Sequence, residues 1–198
     1  MKTQQIIAER DISDKDFDKI FKPRIRLVSE IHFTPIEVAK LASKYLVTLP
    51  KTKVLDIGSG GGKFCFLGAF ATEGIFTGVE LRKTYHEEAV KIAAESGLGN
   101  IHFIHANITD ITFEAYDAFY IFNPFQENIS VMDRINDEIP LNRALYDVYS
   151  AYVSEQLNKK PVGTKLATYF SYRKEVPTSY QKVSSHFGDK LIFWEKKE

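Results

Sequence analysis

A glycine-rich turn between a predicted strand and a predicted helix is the feature that most restricts the folds open to this chain. Residues 53–59 read KVLDIGS, an apolar strand that runs into glycine, and Gly60, Gly61 and Gly62 lead into a helical segment over 63–71. Glycine permits positive φ and lets a ligand approach the backbone closely. The N-terminus of the helix adds free N–H groups and the positive end of its dipole. Such a unit is typical of open α/β sheets that bind nucleotide-like ligands.

Strand and helix patterns alternate along the rest of the chain. Further strands are predicted over 74–81, 101–107, 116–125, 164–170 and 191–196, and helices over 34–49, 84–96, 141–152 and 177–187. The fourth strand is apolar on both faces, as expected inside a parallel sheet covered by helices. The alternation predicts an α/β fold with a doubly wound, mostly parallel open sheet of six to seven strands and helices on both faces.

The first thirty residues differ in character from the rest. They are dense in charge and only weakly periodic, which predicts a solvated or partly ordered arm. The alternative is a flap that closes over a site and brings His32 to it. We see no internal repeat and no low-complexity linker, so residues 31–198 are predicted to form a single domain.

Two capping boxes mark predicted helix starts. Thr34 is followed three residues later by Glu37, with Pro35 in the first turn, and Thr84 is followed by Glu87 at the same spacing. In such a box the hydroxyl and the carboxylate satisfy free backbone N–H groups at the helix start.

Composition excludes several classes of function. The 26 basic and 26 acidic residues give a formal net charge of zero, so there is no strong general signal for nucleic-acid binding. The lone Cys65 cannot form an internal disulfide, no Cys/His cluster has metal-site spacing, and no metal is expected. No apolar stretch approaches the roughly 20 residues that span a bilayer. Without a signal-peptide core at the start, the expected location is the cytoplasm and no membrane partner is expected. The sequence does not indicate an oligomeric state.

Charged residues around the glycines restrict the classes of ligand that this turn is expected to bind. The spacing is G-x-G-x-G, and Lys63 stands where a dinucleotide site has its third glycine. Asp56 lies two places before Gly58, and Glu80 ends the second strand, where a carboxylate can accept hydrogen bonds from a ribose diol. An NAD(P)-dependent oxidoreductase is an alternative on the same fold, and Lys63 and Asp56 weigh against it.

The segments VLDIGSGGGKF and GVEL closely resemble the first two motifs of the class I, seven-strand S-adenosylmethionine methyltransferases. The likeness in organisation runs from about Phe33 to the C-terminus. It implies S-adenosylmethionine as cofactor and S-adenosylhomocysteine as product. By this resemblance the turn would hold the methionine part, Glu80 with Leu81 the ribose, Asn107 the adenine edge and Ile108 its face. The implied contacts to the methionine part are Asp56, Gly58, Ser59, Gly60, Gly62 and, ahead of the first strand, Thr34.

A second motif concerns the methyl acceptor. Asn123-Pro124-Phe125 resembles the Asn/Asp-Pro-Pro-aromatic motif of methyltransferases that act on amino or amide nitrogen, with one proline in place of two. It also resembles lysine-directed members of the class. The resemblance implies that Asn123 accepts N–H bonds of the acceptor while Phe125 packs on it. Protein side chains, nucleobases and small molecules all remain possible acceptors. A non-catalytic S-adenosylmethionine-binding regulator is a further alternative.

The segment 126–140 is acidic and lies near the predicted site. Its carboxylates are candidates for attracting a cationic substrate, and a solvated acidic loop is an equally good interpretation. The residues concerned are Glu127, Asp133, Asp137 and Glu138.

Overall fold

The computed structural model describes residues 3–9, 11–130, 134–171 and 173–198. The helices are α1 (Thr3–Ala8), α2 (Asp14–Phe17), α3 (Pro23–Arg26), α4 (Ser29–His32), α5 (Ile36–Leu46), α6 (Lys63–Ala71), α7 (Lys83–Ser96) and α8 (Arg143–Asn158). The strands are β1 (Lys53–Ile57), β2 (Ile75–Glu80), β3 (Ile101–His105), β4 (Ala118–Phe122), β5 (Lys165–Tyr169), β6 (Tyr180–His186) and β7 (Leu191–Lys196). Short 3-10 turns cover Asp18–Ile20, Ile108–Asp110 and Gln126–Asn128.

Within the described residues the strands form one seven-stranded sheet in the order β3-β2-β1-β4-β5-β7-β6. Strands β1 to β5 pair in parallel, and β7 lies antiparallel between β5 and β6. The strand order reverses between β1 and β4, and open sheets bind ligands at the carboxyl ends of the strands flanking such a point. The predicted α/β, mostly parallel doubly wound sheet is confirmed.

Each face of the sheet has its own hydrophobic cluster. Val54 and Tyr120 belong to the cluster that the N-terminal helices, α5 and α6 cover, whereas Leu55, Phe119 and Val153 of α8 belong to the other. Neighbouring residues of one strand alternate between the two clusters because successive side chains point to opposite faces. Helices therefore cover both faces, and β1 and β4 are buried on both sides, as their apolar sequences predict.

The predicted helix over 177–187 is wrong. The segment forms β6, which pairs antiparallel with β7, with a register shift between Lys182 and Ser184. Val183, which a helical face would bury together with Tyr180, is 52% exposed, while Tyr180 is 5% exposed. Pairing with β7 supplies the edge strand with backbone hydrogen bonds and overrides the local pattern.

The described part of the N-terminal segment packs on the main body, whereas the sequence predicts a solvated or partly ordered arm. Phe17, Phe21 and Ile25 are buried and belong to the same hydrophobic cluster as Ala39 and Phe64 of the main body. Phe17 ends α2, Ile25 lies in α3, and Phe21 lies in the extended turn between the 3-10 turn and α3. The alternative of a flap, and the division of the chain at residue 30, stay predictions.

Neither predicted capping box forms. The Thr34 hydroxyl lies 3.0 Å from the Tyr120 hydroxyl, and the backbone N–H of Ile36 at the start of α5 donates to Asp14 Oδ1 at 3.0 Å. A carboxylate from a distant part of the chain therefore does the work predicted for Thr34.

The second box fails in a similar way. Thr84 lies inside the first turn of α7, whose N-cap is Arg82. Its backbone N–H donates to Glu138 Oε1 at 2.9 Å, and its hydroxyl donates to the other oxygen of the same carboxylate. Glu138 thus satisfies the start of α7 and takes the role that the pattern assigned to Thr84 and Glu87.

Candidate functional site

A cavity of about 620 Å³ opens at the carboxyl ends of β1, β2 and β4, beside the point where the strand order reverses. Its volume lies in the range of small-molecule and cofactor sites. Ile31, His32 and Phe33 of the N-terminal segment border it. Nine of the thirteen sequence-predicted site residues line it, namely Gly58, Gly60, Glu80, Leu81, Asn107, Ile108, Asn123, Pro124 and Phe125.

Three more of the predicted residues surround a smaller space next to the cavity. Thr34, Asp56 and Ser59 line this space, and Gly58 and His32 border both. The two spaces are therefore adjacent, with the glycine loop between them. Gly62 lines neither, so the structure does not bring it to the ligand-accessible surface with the others.

The glycine loop has a conformation that side chains would disrupt. Gly58 has φ +74°, and a Cβ at this position would lie 2.4 Å from the Cβ of Pro124. Gly62 has φ +85°, and a Cβ there would lie 2.4 Å from the Phe103 ring. Gly58 is thus required where β1 and the Asn-Pro-Phe segment approach each other, while Gly62 is required for packing at the start of α6.

Glu80 joins the second strand to the glycine loop. Its carboxylate accepts a hydrogen bond from the backbone N–H of Gly60 at 2.9 Å and another from that of Arg82 at 2.8 Å. Burial raises the pKa of Glu80, and the bonds from these two N–H groups oppose that rise. A carboxylate has about four acceptor positions, so Glu80 retains capacity for two ligand hydroxyl groups.

The Asp56 carboxylate is more deeply buried than that of Glu80. It is 3% exposed, and its Oδ2 accepts a weak hydrogen bond from the Cys65 thiol at 3.4 Å. Burial raises the pKa of Asp56 to about 7, and the nearby Glu80 charge adds to the rise. Such a group takes up its charge most readily when a cation is brought beside it.

The Asn107 side chain is engaged within the chain. Its Nδ2 donates to the Tyr149 hydroxyl at 3.0 Å, and its Oδ1 accepts from the backbone N–H and hydroxyl of Thr109 at 3.1 Å. Asn107 thereby caps the 3-10 turn that carries Ile108 into the cavity wall. Its contact with an adenine edge stays a prediction.

Asn123 lies immediately after β4 in an unusual state. Its φ is +42°, in the left-handed region that Asn tolerates better than most residues. Its Oδ1 is buried and has no hydrogen-bond partner among the described residues. A buried acceptor without a partner is costly, and Asn123 is one of the residues that line the cavity.

The acidic segment is largely neutralised within the chain. Glu127 pairs with Arg82 at 2.5 Å, Asp137 pairs with Arg134 at 2.6 Å, and Glu138 accepts from Thr84. Asp133 lies outside the described residues. The interpretation of this segment as an attractor of cationic substrates therefore loses its support.

The pair of Arg82 and Glu127 is a part of the site that sequence reasoning missed. Both side chains are at least nine-tenths buried, both line the cavity, and Arg82 also donates to Asn136 Oδ1 at 2.9 Å. The pair joins the end of β2 to the segment after Asn-Pro-Phe. The sequence places Arg82 directly after GVEL, near the predicted site, but no pattern in it identifies Glu127 as the partner of Arg82.

The end of the cavity opposite the glycine loop is formed by residues that the sequence did not indicate. It lies where β5 ends and where β6 turns into β7. Its lining residues include Phe122, Phe170, Ser171, Arg173, Asp189 and Lys190. Phe170, Ser171 and Arg173 follow β5, and Asp189 and Lys190 lie in the turn between β6 and β7. Their approach to Asn123 depends on the pairing of β7 with β5 and β6, which no local sequence pattern indicates.

The described residues offer neither a metal-binding cluster nor a membrane-spanning helix. Among residues 3–9, 11–130, 134–171 and 173–198, no cluster of three or more His, Cys, Asp and Glu side chains is placed to hold a metal ion. In the same part of the chain, no helix combines the length and apolar character needed to cross a bilayer.

Comparison with solved structures shows where this fold recurs. TrmN from Thermus thermophilus is 17% identical, with a TM-score of 0.62 over 88% of this chain and 52% of its own. An RNA methyltransferase from Salinibacter ruber, in complex with S-adenosyl-L-homocysteine, is 17% identical, with a TM-score of 0.52 over 90% of this chain and 93% of its own.

A methyltransferase from Geobacter sulfurreducens, also in complex with S-adenosyl-L-homocysteine, is 20% identical, with a TM-score of 0.51 over 75% of this chain and 55% of its own. The chain thus spans about half the length of several structures that it matches. At these identities the likeness shows the fold alone. No curated protein matches the chain in sequence.

A family model gives the decisive comparison. The model described as a methyltransferase domain matches residues 49–187, which is more than two thirds of the chain and includes the glycine loop, Glu80 and the Asn-Pro-Phe segment. The chain belongs to the methyltransferase-domain family.

Proposed function

We propose that this protein is an S-adenosylmethionine-dependent methyltransferase that methylates an amino or amide nitrogen. The observation that carries the proposal is the buried Asn123 Oδ1, which has no hydrogen-bond partner among the described residues and belongs to a residue that lines the same cavity as the glycine loop. The family membership and the neighbours that contain S-adenosyl-L-homocysteine support the cofactor.

The residues at the loop end of the cavity fit the cofactor. Gly58 and Gly60 expose backbone where a side chain would collide with Pro124 or Phe33. Glu80 retains acceptor capacity for a ribose diol, and Ile108 offers an apolar surface for a base. Asp56 lies beside the loop, where we expect its carboxylate to pair with the ammonium group of the cofactor's methionine part. We infer that Leu81, Ser59 and Thr34 complete this part of the site.

The chain's own contribution to the reaction is to orient the acceptor. When bound, S-adenosylmethionine supplies an activated methyl group on a sulfonium. Asn123 Oδ1 accepts an N–H bond of the acceptor and so directs the nitrogen lone pair away from the protein and toward the loop end of the cavity. Pro124 fixes the backbone against Gly58, and Phe125 packs on Tyr149 at a centroid distance of 5.4 Å. Orientation of this kind is worth several orders of magnitude in rate.

Asn123 can be tested without disturbing the fold. Asn123→Gly removes the amide and suits the positive φ, so we expect stability to be retained. Loss of the acceptor oxygen is expected to lower the turnover of methyl transfer about a hundredfold, because the nitrogen is no longer held in line. The measurement is transfer of tritiated methyl from S-adenosylmethionine to fractionated lysate, followed by turnover on the labelled fraction.

The matched control is Asn123→Asp, which keeps an acceptor oxygen and tolerates the same backbone conformation. Both variants are expected to bind S-adenosylmethionine within about threefold of the parent chain, a difference below about 0.7 kcal/mol. Unchanged turnover in Asn123→Gly would remove the acceptor assignment. Binding of the cofactor without labelling of any fraction would favour a non-catalytic regulator.

A further inference from the structure

The end of the cavity opposite the glycine loop has a composition of its own. Phe170 follows β5, Arg173 lies three residues further on, and Asp189 and Lys190 lie in the turn between β6 and β7. The backbone N–H of Phe170 donates to the Lys190 carbonyl at 2.9 Å, which holds the two segments together. These residues share the cavity with Asn123.

Aromatic rings form the wall beside Asn123. Phe122 lies 4.8 Å from Tyr169 and 6.2 Å from Phe170, centroid to centroid, the second pair at an interplanar angle of 29°. Phe170 is 46% exposed, although large aromatic side chains are usually buried. An exposed flat ring next to a hydrogen-bond acceptor suits a planar group that carries an N–H donor.

The uncompensated charge at this end is positive. Among the described residues, neither Arg173 nor Lys190 forms an ion pair, and Lys190 Nζ lies 5.1 Å from the centroid of the Phe170 ring. The one carboxylate there, Asp189, accepts from Lys182 at 2.9 Å. The Arg173 guanidinium lies 5.9 Å from the centroid of the Trp194 ring, and its charge, like that of Lys182, helps to lower the pKa of Asp189. Arg173, Lys190 and Lys182 thus stand against the single carboxylate of Asp189, so the net charge at this end stays positive.

The opposite wall does not offset this charge. Glu127 is paired with Arg82 at 2.5 Å, and Glu80 accepts from two backbone N–H groups. The carboxylates on the loop side of the cavity are therefore already engaged. Among the described residues that line the far end, an anion would meet the cations Arg173 and Lys190, with Asp189 as the carboxylate beside them.

The backbone at this end is held in costly conformations. Phe170, Arg173 and Asp189 have φ of +49°, +67° and +63°, in a region that non-glycine residues seldom adopt. Each such residue costs on the order of 1 kcal/mol, and such residues cluster at binding sites. Together with Asn123, four cavity-lining residues carry this strain.

The geometry points to an anion-binding subsite formed by Arg173 and Lys190, and we propose that the acceptor is a planar ring carrying both the nitrogen and a phosphate or carboxylate. This inference rests on the proposed methyl transfer, because Asn123 supplies the other contact. The ring lies against Phe122 and Phe170. Arg173 presents a planar fork that matches either anion, and Lys190 adds a point charge.

Matched pairs of probes test the subsite by calorimetry. Protein saturated with S-adenosylhomocysteine is titrated with adenosine 5′-monophosphate against adenosine, and with 4-aminobenzoate against aniline. We expect the anionic member of at least one pair to bind about tenfold more tightly, and the preference to fall as salt is raised. The pair with the larger ratio distinguishes phosphate from carboxylate.

The double variant Arg173→Gln/Lys190→Gln is expected to bring that ratio close to one and to leave S-adenosylhomocysteine affinity unchanged. Lys159→Gln/Lys174→Gln is the control, because it removes the same charge from residues that do not line the cavity. Equal binding within both pairs, a ratio that survives in the double variant, or no anionic binding at about 1 mM would overturn the subsite. Failure of the proposed function is seen separately, as absent binding of S-adenosylhomocysteine.

Discussion

Lys63→Met is expected to destabilise the protein by about 3–5 kcal/mol, because it removes one partner of a buried ion pair. The Lys63 side chain is 3% exposed, and its Nζ lies 2.7 Å from Asp18 Oδ1 and 2.6 Å from Asp14 Oδ1. Asp18 is 6% exposed in its side chain and would be left as an isolated buried charge. The loss is measured as the change in urea-induced unfolding followed by circular dichroism.

Two variants check the cause of this loss. Lys63→Met/Asp18→Asn removes both charges of the buried pair and is expected to recover most of the stability. Lys159→Met breaks an exposed pair with Glu155 and is expected to change stability by less than about 0.5 kcal/mol. A loss below about 1 kcal/mol for Lys63→Met would mean that the pair does not hold the N-terminal segment to the glycine loop.

Asp56→Asn is expected to stabilise the protein at pH 8 and to weaken S-adenosylmethionine binding. Burial raises the pKa of Asp56 from 3.8 to about 7, so between these values the folded chain holds a proton that the unfolded chain does not. Stability therefore falls as pH rises from about 4 to about 7 and stays low above that. Asn carries no charge, so the variant is expected to gain on the order of 2–4 kcal/mol at pH 8.

The measurement is unfolding at pH 5 and at pH 8, with titration of S-adenosylmethionine alongside. The stability difference between Asn and Asp at position 56 is expected to shrink at pH 5, where the native carboxyl is protonated. Loss of the partner for the cofactor's ammonium is expected to weaken binding about a hundredfold. Asp137→Asn, at an exposed position, is the control and is expected to show neither effect. A variant that is less stable at pH 8 and binds as well as the parent contradicts this account of Asp56.

The fold could be predicted because the apolar pattern of a strand indicates whether the strand is buried in the sheet. AFYIF is apolar on both faces, as is typical of a central parallel strand, and the glycine turn between β1 and α6 marks the edge where ligands bind. The error at β6 has a physical origin. Tyr180, Val183 and Phe187 repeat at helical spacing, but the segment takes its hydrogen bonds from β7, a partner that no local pattern reveals.

Long-range partners explain the remaining differences. Thr34 and Thr84 had the right spacing for capping boxes, yet the carboxylates of Asp14 and Glu138 reach those helix starts from 22 and 54 residues away. Charged residues dominate the composition of the N-terminal segment, whereas the contacts of Phe17 and Phe21 with the rest of the chain decide how much of the segment is buried.

The candidate site likewise combines residues that the sequence could identify with residues that only the tertiary structure brings there. Residues that lie within strand ends and the glycine turn could be named from the sequence, because parallel strands bring their carboxyl ends to one edge. Arg173 and Lys190 come from segments whose course depends on β6 and β7, and Glu127 from a loop. Their place in the cavity follows from tertiary structure alone.

We propose that the glycine loop, Asp56 and Glu80 form an S-adenosylmethionine site and not a dinucleotide site. Calorimetric titration of the full chain with S-adenosylmethionine, S-adenosylhomocysteine and NADH tests it directly. We expect S-adenosylmethionine and S-adenosylhomocysteine to bind with micromolar dissociation constants, a binding free energy of about −8 kcal/mol. Glu80→Ala is expected to lose most of this binding, and NADH is expected not to bind. Binding of NADH with no binding of S-adenosylmethionine at about 1 mM would contradict it.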